Sequence, residues 1–394
     1  MTDKPVERAV ALDYLRVFAV LLVVAHHAAL AYAPFAPKVP SFTAEGLWWR
    51  AFPIVDTHGS DNFTLFIAFN DTFFMSLLFL LSGLFVASSF ASKGFGGFTG
   101  RRLVRLGIPF IFAAGIIAPL AYLPTYLQLS PGGDLQTFWQ QWLSLPVWPA
   151  GPAWFVWVLL AFDLVAALLF LIMPGWARAV GRIGDNADRR PFRFFLILAT
   201  LSAILYTPLL ILYGSWHWAE FGPFSFQTSR ILHYVLYFAM GVGLGSLGTR
   251  AGLFDPQGNL AKRWWMWGGI AFIAFALVIV VLVGSTKANG QQPMFWNIAG
   301  GITFALSCAT SSFAFLALFL KFFKRPIGLL DNLARNSYGI YLVHYAFVNW
   351  MLYVLLPAQL SPGAKFGIAF AGAALLSWIT ASLLRRIPGV KRVL

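Results

Sequence analysis

Residues 152–173 read PAWFVWVLLAFDLVAALLFLIM, a run of apolar side chains broken by one ionisable group, Asp163. A run of this length can cross the roughly 30 Å hydrocarbon layer of a bilayer as a helix. Lipid offers the backbone no hydrogen-bond partner, so the segment has to be helical rather than an open strand. Comparable runs lie near 9–33, 68–90, 105–123, 194–213, 230–247, 265–284, 297–320, 336–356 and 366–386. The chain of 394 residues is 59% apolar and only 11% charged. A soluble protein needs roughly 25% charged residues to cover its surface, so most of this surface faces lipid. The alternation of a membrane barrel is absent. The expected fold is all-α, a polytopic membrane bundle of about ten transmembrane helices. No internal repeat or soluble insertion divides it, so residues 1–394 read as a single membrane-embedded domain.

The charges orient the bundle. All but five of the 28 Lys and Arg residues fall on one side of this span pattern; Lys38, Arg50, Arg230, Lys287 and Lys365 are the exceptions. The positive-inside rule puts the basic side, and with it both termini, in the cytoplasm. It also accounts for the formal net charge of +14 without a nucleic-acid partner. The loops at 34–67, 124–151 and 214–229 then lie outside, rich in Pro, Trp and Phe as interfacial segments are. A competing reading of the N-terminus takes Val17–Ala25 as a short secretory core and Ala31-Tyr32-Ala33 as a cleavage site. N-terminal sequencing of the membrane protein separates the two. Cys308, inside an apolar run, reads as a small packing residue.

The first span carries Asp13, Arg16, His26 and His27. Ionisable groups at membrane depth are expensive, which makes each a functional candidate. Arg16 and His27 are eleven residues apart, close to three helical turns, and share a face about 16 Å apart along the axis. Asp13 is within reach of a same-helix ion pair with Arg16; His26 is turned aside by about a quarter turn. The plainer alternative is an Asp–Arg anchor at one interface and interfacial histidines at the other. Arg101, Arg102 and Arg105 open the third span on the basic side. They read either as an ordinary positive flank or as a phosphate clamp, with Arg102 and Arg105 on one helix face.

At this point the motifs resemble those of the acyltransferase 3 family of integral membrane acyltransferases. The matching residues are Leu12-Asp13-Tyr14-Leu15-Arg16 with His27, Leu80-Leu81-Ser82-Gly83-Leu84-Phe85, and Arg102 and Arg105 followed by Pro109. Gly151-Pro152-Ala153-Trp154-Phe155 and Ser337-Tyr338-Gly339-Ile340-Tyr341-Leu342-Val343-His344 complete the set, all in family order. His27 followed by Tyr32 is most similar to the glucan biosynthesis protein C branch, whose members are thought to succinylate periplasmic glucans. Leu84 departs from the family's usual aromatic residue.

The resemblance implies an O-acyltransferase of the bacterial cytoplasmic (inner) membrane. It would move an acyl group of acetyl or succinyl type from an acyl-CoA donor, through no permanently bound cofactor, to a hydroxyl of a glycan or similar acceptor. His27 would activate that hydroxyl or carry the acyl group, with Arg16 and Asp13 completing the catalytic set. Arg102, Arg105 and Arg101 would hold donor phosphates. Ser337, Tyr341, His344 and Trp154 would line the substrate channel, the first three on the inner half of the ninth span with His344 at the depth of Arg16. Membrane lipid is the remaining partner. Asp163 and Asp71 need polar partners of their own. His58, His217 and His233 form no metal-ligand pattern, and His217 with Glu220 reads as a solvated or acceptor-binding pair. Gly94, Gly96, Gly97 and Gly100 read as a flexible turn, or as a phosphate cradle. The competing function is a transporter of an anionic or lipid-linked substrate, for which paired broken spans would be the sign.

Overall fold

The computed structural model describes residues 10–184, 187, 189–248 and 252–394. Lys4, Arg8 and Arg250 of the basic set lie outside the described residues, as does the start of the span read at 9–33. Among the described residues, nine helices are long and apolar enough to cross a membrane. They are α1 (Val10–Leu30), α2 (Asp61–Gly83), α3 (Val86–Leu129), α5 (Gly151–Ile172), α6 (Pro191–Tyr213), α8 (Trp264–Lys287), α9 (Pro293–Phe322), α10 (Gly328–Leu355) and α11 (Pro362–Leu384). The tenth expected span is α7 (Ile231–Ser246). At 16 residues it rises only about 24 Å. Its middle is buried, with Tyr237 and Val242 fully enclosed, so neighbouring helices rather than lipid surround it. Between α3 and α5 lies a short helix, α4 (Leu135–Ser144), capped by Asp134, whose carboxylate accepts the Thr137 amide at 2.8 Å.

Local sequence explains the helix ends. Pro191, Pro293 and Pro362 begin α6, α9 and α11, where a missing N–H breaks no helix bond. The Ser361 hydroxyl accepts from the Ala364 amide at the start of α11, a normal N-cap. The strand pair β1 (Trp218–Phe221) and β2 (Phe224–Gln227) forms an antiparallel hairpin, with Trp218 opposite Gln227 and Glu220 opposite Ser225. It is the one departure from the all-α expectation among the described residues, and it occupies the loop read at 214–229.

α1 is central, in contact with α2, α9, α10 and α11. α8 is peripheral: only Trp267, Ala271 and Ala274 of its 24 residues are buried, while Phe272, Ile273 and Val280 stand exposed for lipid. α2 and α7 lie backbone to backbone. A Cβ on Gly241 would come within 2.2 Å of the Leu80 carbonyl, and one on Gly245 within 2.0 Å of that of Leu84. This is the small-residue spacing by which membrane helices approach closely.

α3 is the least regular element. The helix read at 105–123 begins much earlier and leaves helical geometry once, at Gly94 (φ 66°). Gly96, Gly97 and Gly100 sit within helix, so the glycines form a turn at one position and no phosphate cradle. Further on, the Ile108 amide reaches back five residues to Leu103, and the Ala118 amide five residues to Ala113. These are π-turns, each adding a residue to the helix turn that holds it.

Candidate active site

The polar face of α1 has the expected form. Arg16 meets Asp13 at 3.5 Å, and its guanidinium lies 5.4 Å over the Phe85 ring. The Tyr14 hydroxyl donates to Asp331 at 2.8 Å and accepts the Ile327 amide at 2.7 Å, tying the start of α1 to the start of α10. His26 is buried with its ring against Phe74, separate from the face that carries Arg16 and His27.

Two cavities flank this face, one toward each end of the bundle. The one at the basic end has a volume of about 170 Å³ and is lined by Arg16, Ser82, Arg105, Ser337, Tyr338 and Tyr341, with an apolar wall that includes Phe155. Arg105 thus joins Arg16, as a shared anion site requires. Arg102 does not. Its Nε lies 3.1 Å from the Asp163 carboxylate, and its guanidinium sits over Phe98. The expectation of a common face for Arg102 and Arg105 assumed a regular helix. The π-turn at Leu103–Gly107 puts more residues in the turn that holds Arg105, so positions three apart no longer align as they do in a regular helix. Arg101 is exposed on the surface and does not line the cavity.

The cavity at the opposite end is larger, about 300 Å³, with His27 in its lining. Aromatic rings dominate its walls: Trp48, Trp148, Trp154, Trp216 and Trp218, with Tyr122 and Tyr345. Arg50 and Glu220 form an ion pair that also lines this cavity, joining the first long loop to the hairpin. His27 Nδ1 lies 2.8 Å from the Val23 carbonyl. A carbonyl only accepts, so Nδ1 carries the proton and Nε2 of the neutral ring keeps its lone pair.

His344 stands beside His27, with ring centroids 5.2 Å apart. This corrects the reading that put His344 at the depth of Arg16. α10 begins at Gly328, eight residues before the span read at 336–356, so His344 sits 16 residues along its helix, much as His27 sits 17 residues along α1. His344 Nδ1 donates to the Tyr341 carbonyl. Its Nε2 is fully buried and has no hydrogen-bond partner among the described residues.

A thin partition separates the cavities. The Tyr341 hydroxyl donates to the Pro152 carbonyl, and its ring packs edge-on against Phe155. Tyr341 lines the basic-end cavity while Pro152 lines the other. Of the residues expected in a channel, Ser337 and Tyr341 therefore belong to one cavity and Trp154 to the other, with His344 between helices beside His27. Asp71 finds its partner in Arg230, which donates at 2.8 Å from one guanidinium nitrogen and pairs through a second.

A family model described as an acyltransferase domain matches residues 10–382. The chain belongs to the acyltransferase 3 family. It is therefore a membrane acyltransferase, and the transporter reading gives way. No curated protein and no solved structure matches it. The matched region spans both cavities of this acyltransferase and every helix that lines them.

Sequence reading singled out Glu220 at the acyltransferase's larger cavity but gave it the wrong partner: it pairs with Arg50, 170 positions away, while His217 meets Thr228. Other residues around that cavity were missed. Tyr345 follows directly on His344; its ring centroid is 5.0 Å from that of His27. Tyr122 had no mark beyond its aromatic character. The one usable hint was the concentration of Trp and Pro in the loops on that side.

Proposed function

We propose that this protein is an O-acyltransferase that takes an acyl group from an acyl-CoA-like thioester at the basic-end cavity and delivers it to a hydroxyl bound in the aromatic cavity. The observation that carries this reading is His27. It lines the acceptor-sized cavity with Nδ1 pinned to a backbone carbonyl, and it shares a helix face with Arg16, which lines the other cavity.

The chemistry follows from that tautomer. Nε2 of His27 removes the proton of the acceptor hydroxyl as its oxygen attacks the thioester carbonyl. The C–O bond forms, the C–S bond breaks, and the thiolate leaves and takes up a proton. In the two-step form, Nε2 attacks the thioester itself and the thiolate leaves; the hydroxyl oxygen then displaces the imidazole, whose freed Nε2 takes the hydroxyl proton and passes it on to the thiolate. Arg16, oriented by Asp13, and Arg105 supply positive charge for the donor phosphates in the basic-end cavity. Arg101, exposed on the same basic side, adds positive charge outside the cavity. Tyr341 and Ser337 border the donor's path, while Trp154 borders the acceptor.

The finer reading has both termini and the donor in the cytoplasm, in a bacterial inner membrane. The acceptor is a cell-envelope glycan, and the acyl group is of acetyl or succinyl type, as in the glucan biosynthesis protein C branch. The tryptophans of the wall offer flat apolar faces, and the Arg50–Glu220 pair offers hydrogen-bonding groups, a combination suited to a sugar.

His27→Ala is expected to lower acyl transfer by more than about 100-fold, the scale of a general base, while membrane insertion and donor binding persist. Labelled acyl-CoA consumption by the purified variant measures it; near-wild-type transfer would remove His27 from the mechanism. Mass spectrometry of envelope glycans from a deletion strain and its parent identifies the acyl group by its mass difference.

A further inference from the structure

Arg105 enters the basic-end cavity from an irregular stretch of helix, and the irregularity has a specific brace. In a regular α-helix the Arg105 carbonyl would accept from the amide of residue 109, which is proline and has no N–H. The preceding turn is a π-turn, closed by the Ile108 amide on the Leu103 carbonyl. The Arg105 carbonyl accepts instead from a side chain of another helix: the Tyr338 hydroxyl on α10, at 2.7 Å. Tyr338 and Arg105 both line the cavity that also holds Arg16.

The same device recurs further along α3. Pro124 leaves the Leu120 carbonyl without a helix partner, and Trp350 of α10 donates its indole N–H to it at 2.9 Å. One helix thus supplies the replacement at two of the three prolines of α3; the third, Pro119, follows the second π-turn. The two sites differ in one respect that matters: only the brace at Arg105 carries a guanidinium that points into a cavity.

We propose that Tyr338 is a positioning residue for the acyl donor: by holding the Arg105 carbonyl, it keeps the π-turn that aims the Arg105 guanidinium at donor phosphate. An α-register at this turn would tighten it and rotate the Arg105 side chain around the helix axis, away from its present direction. Tyr338 acts through Arg105 and does not touch the reacting atoms, so its loss weakens donor capture without changing the chemical step. The proposal rests on the reading that Arg105 contacts the donor.

The experiment is a double-mutant cycle with Tyr338→Phe and Arg105→Ala in the full-length detergent-purified protein, with acyl-CoA as the varied substrate. Tyr338→Phe keeps the ring and removes only the hydroxyl. The expected result is a donor KM raised about fivefold or more, kcat within twofold, and an unchanged thermal midpoint. In the Arg105→Ala background, adding Tyr338→Phe should change donor KM by less than twofold, the signature of two groups acting as one. Equal effects of Tyr338→Phe in both backgrounds, or a fall in kcat with KM unchanged, would overturn the positioning role. If Arg105→Ala alone leaves donor KM unaltered, the donor assignment of Arg105 fails, and the proposal with it. Should Tyr338→Phe fail to insert, Pro109→Ala reads the same brace from the other side. It returns an N–H that competes for the Arg105 carbonyl and should raise donor KM with both Tyr338 and Arg105 present; an unchanged KM would refute the proposal.

Discussion

His344 and His27 stand with ring centroids 5.2 Å apart on neighbouring helices, and each has its Nδ1 proton committed to a backbone carbonyl. An imidazolium formed on His27 during transfer therefore lies beside a buried imidazole whose Nε2 has no hydrogen-bond partner among the described residues. His344→Phe keeps a ring in that space and removes the lone pair. It is expected to reduce kcat about 10- to 100-fold, the worth of a hydrogen bond to a charged group, with donor KM little changed; steady-state transfer assays measure both. Residue-scale legibility followed one rule. Arg16 and His27 were readable because an eleven-residue separation fixes their relation on any straight helix. The depth of His344 was not, because it depends on where α10 begins, and the polar turn before 336 gave no sign that helix already ran through it. Arg102 was misplaced for the converse reason: a regular period was assumed across a π-turn.

The helices themselves were legible wherever an apolar run matched a bilayer, and least legible where a helix is held by other helices. α7 is short and glycine-rich, and its sequence gives no hint that Gly241 and Gly245 bring it against the α2 backbone. The close approach makes a sharp expectation. Gly241→Ala forces a methyl within 2.2 Å of the Leu80 carbonyl, so the two helices have to separate. A loss of about 1–3 kcal/mol is expected, seen as a lowered thermal midpoint in detergent. Gly268→Ala on peripheral α8, where an added methyl meets nothing within 4 Å, should leave the midpoint unchanged. A similar loss in both variants would mean that the contact between α2 and α7 has no special weight. The irregularities of α3 were equally hidden: proline flags a missing N–H, but which side chain replaces it is decided by α10, more than 200 residues away in sequence.

At the scale of the molecule, one buried ion pair anchors the loop that covers the aromatic cavity. Lys365, in the first turn of α11, donates to Asp56 at 2.7 Å and to the Leu356 carbonyl at 3.1 Å. Asp56 also accepts the His58 amide, and its own amide donates to Ala31 at the end of α1. Both charged side chains are almost wholly enclosed. Lys365→Met leaves a carboxylate buried alone and should destabilise the protein by about 3–5 kcal/mol, whereas adding Asp56→Asn should recover part of that loss. The midpoint of thermal unfolding in detergent tests both. Acid should act on the same pair. Burial alone would push the Asp56 carboxyl up, but Lys365 and the His58 amide together hold it below the ordinary carboxylate value. A group depressed in the folded state adds stability above its unfolded value, near pH 4, and that stability is lost as pH falls through the folded value. The wild-type midpoint should therefore drop on acidification below about pH 4 by a component that Asp56→Asn lacks. Sequence alone placed Lys365 among the few basic residues off the basic side, without showing why it stays there.

The Tyr341–Pro152 partition has an electrical consequence. On the proposed route, with donor and acceptor cavities open to water on opposite faces, the membrane voltage would fall mainly across this partition. A charge that crosses there takes up about 2.3 kcal/mol per 100 mV. A neutral acetyl group would pass without sensing the voltage, whereas a succinyl carboxylate moving out of a negative interior would be drawn forward by it. Transfer assayed in vesicles whose potential is clamped at different values would therefore distinguish the two acyl groups by the slope of rate against voltage, without isolating the acceptor.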